Sequence, residues 1–333
     1  MVHIKLSDPF TSWPLLRQTP GSRGVWGNCE FFVNKEVQEC DYWVVYEGLK
    51  AVESTHCPPQ NTILITGEPP TIKRYPPGFL AQFGTVITCH KDMNHPHIIH
   101  NQQSQPWHAG IIRMLEGENI VKLDYDYFRS LKESPKNKLI SVICSSKSMT
   151  KGHRQRVRFV EKLRRRFGQN IDVFGNGFDP IPDKWDAIYP YKYHIVLENC
   201  SISDYWTEKL ADAFLGLTYP IYYGCTNLSG YFPDKSFTPI DITKPDQAIS
   251  IIEGLIEDEI YERSIKYIME ANSLILNRYN LFPMLAQLCN EIKPSPCSVE
   301  TVKIKPESAF IHPLSKMYRF LVNTKNISTR GFK

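Results

Sequence analysis

The sequence predicts an α/β fold in two domains. Short apolar runs rich in Val, Ile and Tyr recur along the chain, and amphipathic helical stretches alternate with these runs in its second half. A length of 333 residues is enough for about two domains that each bury a core. Both observations favour open sheets connected by crossovers.

Four strand-like runs predict the sheet of the first domain. They cover residues 2–6, 42–46, 62–66 and 85–88, separated by Pro, Gly and Asn clusters with helical material between them. Around residues 131–138 the composition turns to Lys, Glu, Ser, Pro and Asn, which indicates a linker. We therefore predict a first domain over residues 1–133.

The second domain is predicted over residues 134–300. It opens with a strand over 139–144 and a helix over 154–167, and a further strand is expected over 236–242. Helices are predicted over 245–256, 258–278 and 282–292. A tail over 301–333 follows, which we expect to pack back on the first domain.

Composition narrows the class and the setting of the protein. A hydrophobic content of 42% and a charged content of 22% are typical of soluble globular proteins, and a net charge of +4 does not indicate a nucleic-acid partner. The nine cysteines form no CxxC pair and are odd in number, which argues against a disulfide framework or a zinc ribbon. We expect a reduced, cytoplasmic setting.

The sequence leaves two alternatives for the basic C-terminal tail, one of which is contact with a membrane. No run approaches the length of a membrane span, and the segment MVHIKLSDPF lacks the apolar core of a signal peptide. Residues 315–333 hold five bases and no acids, with Met, Tyr, Phe and Leu among them. A peripheral membrane contact through this basic tail is the alternative to packing on the first domain.

The stretch over residues 193–225 predicts a strand–helix–strand crossover. An apolar run predicts a strand over 193–197, and Ser203 with Asp204 offers an N-cap and an acidic first turn. Pro220 predicts the end of the helix before a strand over 221–223. The apolar face of this helix comprises Trp206, Leu210, Ala213 and Leu217.

The opposite face of the predicted helix is polar. Its members follow the spacing i, i+3, i+4, i+7 and are Tyr205, Glu208, Lys209 and Asp212. Ligands bind beyond the carboxyl ends of parallel strands, and a helix N-terminus there favours phosphate. With Glu198 and Asn199 at the strand tip, this end of the crossover predicts a ligand site. The alternative is a solvated helix face with an ordinary ion pair.

The segment ENCSISDYWTEKLADAFLGLTYPIYYG resembles the signature of the family 10 glycosyltransferases, the α1,3/4-fucosyltransferases. In that family a Glu-Asn pair precedes Tyr-x-Thr-Glu-Lys, a small-residue helix and Pro-x-Tyr-x-Gly. The three elements stand here in the same order, at residues 198–199, 205–209 and 220–224. The match is long and specific.

The resemblance implies two Rossmann-like domains facing a central cleft, the GT-B type of glycosyltransferase. It implies inverting transfer of a sugar, first of all L-fucose from GDP-β-L-fucose, to a glycan hydroxyl in α1,3/4 linkage. It also implies that no metal ion or other cofactor is needed. The alternatives are a transferase using another GDP-hexose and a catalytically silent, glycan-binding relative.

Site residues follow from the same resemblance. Glu68 steps off a predicted strand before a stiff Pro-Pro turn and matches the catalytic base, although such a residue alone is more often a surface turn. Arg156 matches the arginine that grips the donor diphosphate, and Arg154 is the competing choice. The implied donor contacts are Asn199, Tyr205, Glu208 and Lys209. Glu198 is an alternative acid or base, although its place at the strand tip favours a structural or sugar-binding role.

Three other patterns carry weaker predictions. Five histidines over residues 90–108 favour a loop facing the acceptor, with Trp107 as a stacking platform, over a metal site. The Asp-x-Asp at Asp124 and Asp126 has the form of a metal–diphosphate motif, but we assign it no role. Eight bases lie between Lys151 and Arg166, which is more typical of a solvated face than of a lipid or nucleic-acid contact.

Overall fold

Two α/β halves, each with its own largely parallel sheet, make up the structure. The computed structural model describes residues 1–114, 118–132, 136–146, 151–291 and 298–311. The first half contains the strands β1 (Val2–Ser7), β2 (Val25–Trp26), β3 (Cys29–Val33), β4 (Tyr42–Tyr46), β5 (Glu53–Cys57), β6 (Thr62–Ile65), β7 (Thr85–Thr88), β8 (Ile98–His100), β9 (Ile111–Ile112) and β10 (Ile120–Val121), with the helices α1 (Pro77–Leu80) and α2 (Tyr125–Ser130).

The remaining elements follow the linker region. They are β11 (Lys138–Ile143), α3 (Lys151–Phe167), β12 (Ile171–Phe174), β13 (Tyr191–Leu197), α4 (Glu208–Leu215), β14 (Tyr219–Tyr223), β15 (Thr238–Pro239), α5 (Pro245–Glu257), α6 (Ile260–Asn277), α7 (Leu281–Glu291) and β16 (Glu300–Ile304). The prediction of two Rossmann-like units is confirmed by the two sheets.

The first sheet has the order β2-β3-β1-β4-β6-β7-β8 and is parallel except for the β2–β3 pair. Its central strand β4 is buried at all five positions, which explains why it reads as a continuous apolar run. The prediction of helices between the strands of the first half is largely wrong. The crossovers are mostly loops and 3-10 turns, and α1 spans only four residues. Prolines at 58, 59, 69, 70 and 76 remove the backbone donors that longer helices need.

The second sheet has the order β12-β11-β13-β14-β15 and is parallel throughout. Helix α3 buries Phe159, Val160 and Leu163 in the core of this half. The helices predicted after residue 244 are present within one or two residues of their expected bounds. The strand predicted over 236–242 shrinks to Thr238–Pro239, because a 3-10 turn occupies residues 234–236.

The end of the described chain returns to the first half. Helix α7 contributes Phe282 to the core of the first sheet, where its ring meets Phe31 edge-on at 5.0 Å. Strand β16 pairs antiparallel with β5, and Phe310 then packs on Phe79. The basic segment over residues 315–333 lies outside the described residues, so membrane contact, the alternative to packing on the first domain, stays a prediction. None of the helices described has the length and apolar character that a bilayer crossing requires.

Candidate functional site

The loops that follow the strands of the two sheets meet across a cleft. Lys91, beyond β7, donates to a carboxylate oxygen of Asp204 at 2.6 Å, and the side chain of Gln103 donates to the Asp204 carbonyl at 3.1 Å. Thr71, beyond β6, hydrogen-bonds the thiol of Cys200, beyond β13. The carboxyl ends of both sheets therefore face one another, as the sequence predicts.

Helix α4 begins four residues later than predicted. Thr207 is its N-cap, and Thr207 Oγ1 accepts a hydrogen bond from the backbone of Lys209. Asp204 cannot start the helix because its φ is +59°. Its carboxylate accepts instead from Asn227, Tyr231 and Lys91, which holds a turn.

Two further expectations about this crossover are wrong. Tyr205 precedes α4 rather than lying on its polar face, and Asp212 on that face is completely buried. The helix ends at Leu215 and is capped by Gly216, whereas Pro220 lies inside β14. The polar face of α4 is thus packed against the first half and is not a solvated surface.

Glu198 orients Lys209 at the start of α4. The Glu198 carboxylate is completely buried and accepts from Thr207 N at 2.8 Å. Lys209 Nζ lies 3.3 Å from Glu198 Oε2 and 2.9 Å from Thr207 Oγ1. Burial alone lowers the pKa of Lys209, but Glu198 and Glu208 outweigh it and hold that pKa above its usual value. Lys209 is therefore a fixed cation.

Glu208 is a fixed anion beside it. Its Oε1 lies 3.2 Å from Lys184 Nζ, 3.4 Å from Lys209 Nζ and 3.5 Å from His108 Nδ1. Burial raises the pKa of Glu208, but Lys209 and Lys184 outweigh burial and hold it well below its usual value. Lys184 was not predicted, because the sequence around it matches no motif.

A cationic cavity of about 250 Å³ opens beside these residues at the ends of β11 and β13. Arg156 lines it and donates to the Leu197 carbonyl at 3.2 Å, and its buried Nε has no hydrogen-bond partner among the residues that the structure describes. Arg154 lies at the exposed surface. The other polar lining residues are Ser145, His153, Lys184, His194, Asn199, Lys209 and Asp212. Converging cations at strand ends suit a diphosphate.

Glu68 stands opposite, at the end of β6. Its backbone is held on both sides, since Glu68 N donates to Glu47 Oε1 at 2.6 Å and the Glu68 carbonyl contacts His90 Nε2 at 2.8 Å. The side chain is half-buried, and burial followed by Glu47 raises the pKa of its carboxyl, while Lys209 lowers it. The carboxylate of the first half and the lysine of the second thus share one cleft.

Trp107, in the histidine-rich segment over residues 90–108, has a different role from the one predicted, while the prediction that this segment faces the acceptor stays a prediction. Trp107 is only 1% exposed and packs edge-on against Phe128, so it is a core residue and not a platform for a sugar. His108 contacts Glu208 across the cleft. Within the described ranges, no three His, Cys, Asp or Glu side chains converge as metal ligands would.

The Asp-x-Asp pair serves local structure. Asp124 caps α2 by accepting from Tyr127 N, and Asp126 accepts from Gly21 N at 2.7 Å. Both carboxylates therefore have hydrogen-bond donors within the protein, which agrees with assigning the Asp-x-Asp pair no role in ligand binding.

A larger groove of about 1170 Å³ lies in the first half, and its lining includes Lys5, Asn34 and Glu53. Its lining contains neither Glu68 nor any of the cations that line the smaller cavity. We place the chemistry beside the smaller cavity, because Arg156, Lys184 and Lys209 line it and Glu68 of the first half lies close enough to Lys209 for their charges to interact.

Comparison with known proteins agrees with this geometry. Residues 133–312, more than half of the chain, match the model of "Glycosyltransferase family 10 (fucosyltransferase) C-term". The chain belongs to glycosyltransferase family 10. The matched range contains Arg156, Asn199, Tyr205, Glu208 and Lys209, whereas Glu68 lies outside it.

Family 10 relatives match over shorter ranges. The α-(1,3)-fucosyltransferase FucT of Helicobacter pylori is 34% identical over 76 residues, which are 22% of this chain and 16% of the relative. The α-(1,3)-fucosyltransferase 4 of Rattus norvegicus is 36% identical over 93 residues, which are 26% of this chain and 21% of the relative. The chain therefore matches only about a sixth to a fifth of the length of these relatives.

Solved structures are similar over most of the chain at low identity. A crystal structure of an α1,3-fucosyltransferase with GDP-fucose is 17% identical with a TM-score of 0.45, covering 84% of this chain and 92% of that one. A glycosyltransferase from Rickettsia africae ESF-5 is 10% identical with a TM-score of 0.44, covering 87% and 97%.

Asp212 makes the stability of this family 10 protein depend on pH. The Asp212 side chain is fully buried, its Oδ1 accepts from His108 N and Ala109 N, and burial raises its pKa from 3.8 to about 6. Asp212 therefore ionises less readily in the folded state than in the unfolded state. The stability that the protonated Asp212 contributes is fully present below pH 3.8 and is lost as the pH rises through 6.

We expect Asp212→Asn, which keeps the acceptor oxygen, to remove that loss. Between pH 4.5 and 7.5 the variant should gain about 2 kcal/mol in unfolding free energy relative to the parent, because part of the pKa difference between the folded and unfolded states is already expressed at pH 4.5. Urea unfolding of both proteins at the two pH values measures this. Parallel pH dependence in both would show that Asp212 does not titrate in this way.

Proposed function

We propose that the protein transfers L-fucose from GDP-β-L-fucose to a glycan hydroxyl, in α1,3/4 linkage and with inversion. One observation carries the proposal. A half-buried carboxylate from one half of the chain, Glu68, faces the cation Lys209 of the other half across a cleft, and Arg156 lines the cavity beside Lys209. Membership of family 10 supports the same assignment.

Glu68 is the proposed base. A transfer to a hydroxyl needs a carboxylate that takes the proton as the new bond forms. Burial and Glu47 raise the pKa of Glu68, which makes it a stronger base than an exposed carboxylate. The backbone contacts of Glu68 to Glu47 and His90 fix the point from which its side chain reaches the cleft.

Arg156, Lys184 and Lys209 are the proposed partners of the leaving diphosphate. All three line the cavity, and Lys209 is already oriented by Glu198 and Thr207. Fixed cations that meet developing negative charge lower the barrier without reorganising. Because the cavity volume lies below the roughly 300–1,000 Å³ of typical ligand sites, we assign it to the diphosphate and its immediate neighbours.

The donor sugar is assigned to the cleft between that cavity and Glu68. Asn199 lines the cavity, and the buried Tyr205 and Glu208 lie at the start of α4 beside Lys209. The Glu208 carboxylate stays ionised, so it can stabilise the positive charge that develops on the sugar ring. We propose that the reaction requires no metal ion, since three cations already face the diphosphate.

The donor is tested by thermal shift with GDP-fucose, GDP-mannose, UDP-glucose and GDP, followed by GDP release with a panel of glycan acceptors in EDTA. We expect GDP and GDP-fucose to stabilise the protein and acceptor-dependent GDP release to persist in EDTA. Stabilisation by GDP-mannose alone would move the assignment to another GDP-hexose. Stabilisation by GDP-fucose without release would indicate a silent relative.

A further inference from the structure

A buried carboxylate that the sequence analysis did not single out lies behind Glu68. Glu47 follows β4, is 6% exposed, and accepts from Glu68 N through Oε1 at 2.6 Å. A Cβ added to Gly67 would lie only 2.7 Å from that oxygen, so the glycine leaves the room in which Glu47 reaches the backbone of Glu68. The contact between Glu47 and the backbone of Glu68 therefore depends both on the carboxylate at position 47 and on the glycine at position 67.

The other oxygen of Glu47 is held as firmly. Glu47 Oε2 accepts from Lys73 Nζ at 2.7 Å and from Tyr75 Oη at 2.8 Å, and Lys73 also donates to the Glu47 carbonyl at 3.0 Å. The backbone of Glu47 has a φ of +63°, in the left-handed region that is unfavourable for a residue other than glycine. These contacts keep Glu47 in a conformation that it would otherwise leave.

The returning end of the chain completes this cluster. Glu307 Oε2 lies 3.1 Å from Lys73 Nζ, and the Glu307 side chain is only 18% exposed. Strand β16 and the contact of Phe310 with Phe79 hold residues 300–310 against the first half. Residues 300–310, which lie far from Glu68 in the sequence, thereby contact Lys73, which in turn binds Glu47.

We propose that Glu47 is a positioning residue for Glu68 and that Lys73 and Glu307 hold Glu47 in place, so that residues 300–310 support the reaction. The proposal rests on the proposed function of Glu68 as the base. Glu47 acts in two ways, because its oxygen fixes the backbone of Glu68 and its negative charge faces the Glu68 carboxylate. A charge-neutral substitution separates these two effects.

Other titratable groups also face Glu68. Lys73 and Lys209 lower its pKa, whereas burial, Glu47 and Glu208 raise it. His90 contacts the Glu68 carbonyl. Among the described residues, Tyr46, Cys200 and Tyr205 also interact with Glu68. When the charge of Glu47 is removed, Lys73 loses its buried partner, and its positive charge lowers the pKa of Glu68 further. Both effects move the titration of Glu68 in the same direction, so a shift to lower pH reports on the loss of the Glu47 charge.

Glu47→Gln keeps an acceptor for Glu68 N and removes the charge. We expect the acid limb of the pH profile of kcat/KM to move to lower pH, with GDP-fucose affinity unchanged. Glu47→Ala removes the acceptor as well and should lower kcat about tenfold to a hundredfold, since a loosened base is misplaced. Glu307→Gln, acting only through Lys73, should move the limb in the same direction by less.

The control is Arg74→Ala, which breaks an exposed ion pair with Asp92 in the same loop as Lys73. It should leave both kcat and the pH profile unchanged. The titration of Glu68 is also measured without turnover, from the side-chain carboxyl carbon by ¹³C NMR, with Glu68→Gln assigning the signal.

The proposal is supported if, in Glu47→Gln, both the titration of Glu68 and the acid limb of the kcat/KM profile move to lower pH. An unchanged NMR titration and an unchanged limb would overturn the proposal. If Glu47→Gln shifts the titration of Glu68 but the wild-type protein transfers no sugar, the result supports the Glu47 contact and contradicts the proposed function.

Discussion

Glu68→Gln is expected to lower kcat about a hundredfold to ten-thousandfold while leaving the affinity for GDP-fucose unchanged. The reason is that the amide keeps the size of the side chain but cannot take a proton, which removes the contribution of a general base. The donor cavity is untouched, because it is lined by residues of the second half. Calorimetry with GDP-fucose and an acceptor-dependent GDP-release assay separate binding from turnover.

The matched control for this experiment is Glu39→Gln. Glu39 is exposed and lines the larger groove, so its change should leave turnover as in the wild type. Normal turnover in Glu68→Gln would remove Glu68 as the base. Loss of turnover in Glu39→Gln instead would place the chemistry in the larger groove.

Lys209→Ala should weaken GDP-fucose binding about tenfold to a hundredfold and lower turnover further. A charge-assisted hydrogen bond contributes about 1.5–3 kcal/mol, and its role grows as negative charge develops on the leaving group. The same change leaves Glu198 buried without its cation, which should lower the unfolding free energy by about 3–5 kcal/mol. Calorimetry, GDP release and urea unfolding measure the three effects.

Stability and chemistry are separated by two further variants. Glu198→Gln with Lys209→Met removes both charges together, so it should recover most of the stability but not the donor affinity. Lys192→Ala breaks a more exposed ion pair with Glu262 in the same half and should change neither quantity appreciably. Recovery of GDP-fucose binding in the double variant would contradict the role of Lys209.

The buried strands of the fold were predictable because a strand covered on both faces is apolar at successive positions. The run over Tyr42–Tyr46 is the clearest case, since all five residues are buried. The crossovers of the first half were not predictable in the same way, because their prolines exclude helices without specifying another structure. The pairing of β16 with β5 joins segments about 250 residues apart, which no local pattern indicates.

The candidate site was predictable where one continuous segment carries it. Glu198, Glu208 and Lys209 lie within twelve residues of sequence, and their order resembles a family motif. Asp204 was misread because an N-cap and a left-handed turn both favour Asp. Glu47 and Lys184 could not be found, since each joins the site only through contacts between distant segments.

The stereochemistry of transfer tests the central claim most directly. A base on the first half and a leaving-group site on the second imply that the acceptor attacks the sugar from the side opposite the diphosphate. ¹H NMR of the product formed from GDP-β-L-fucose should therefore show an α-linked fucose from the first turnover. A β-linked product, formed with retention, would contradict a single displacement between Glu68 and the cations of the second half.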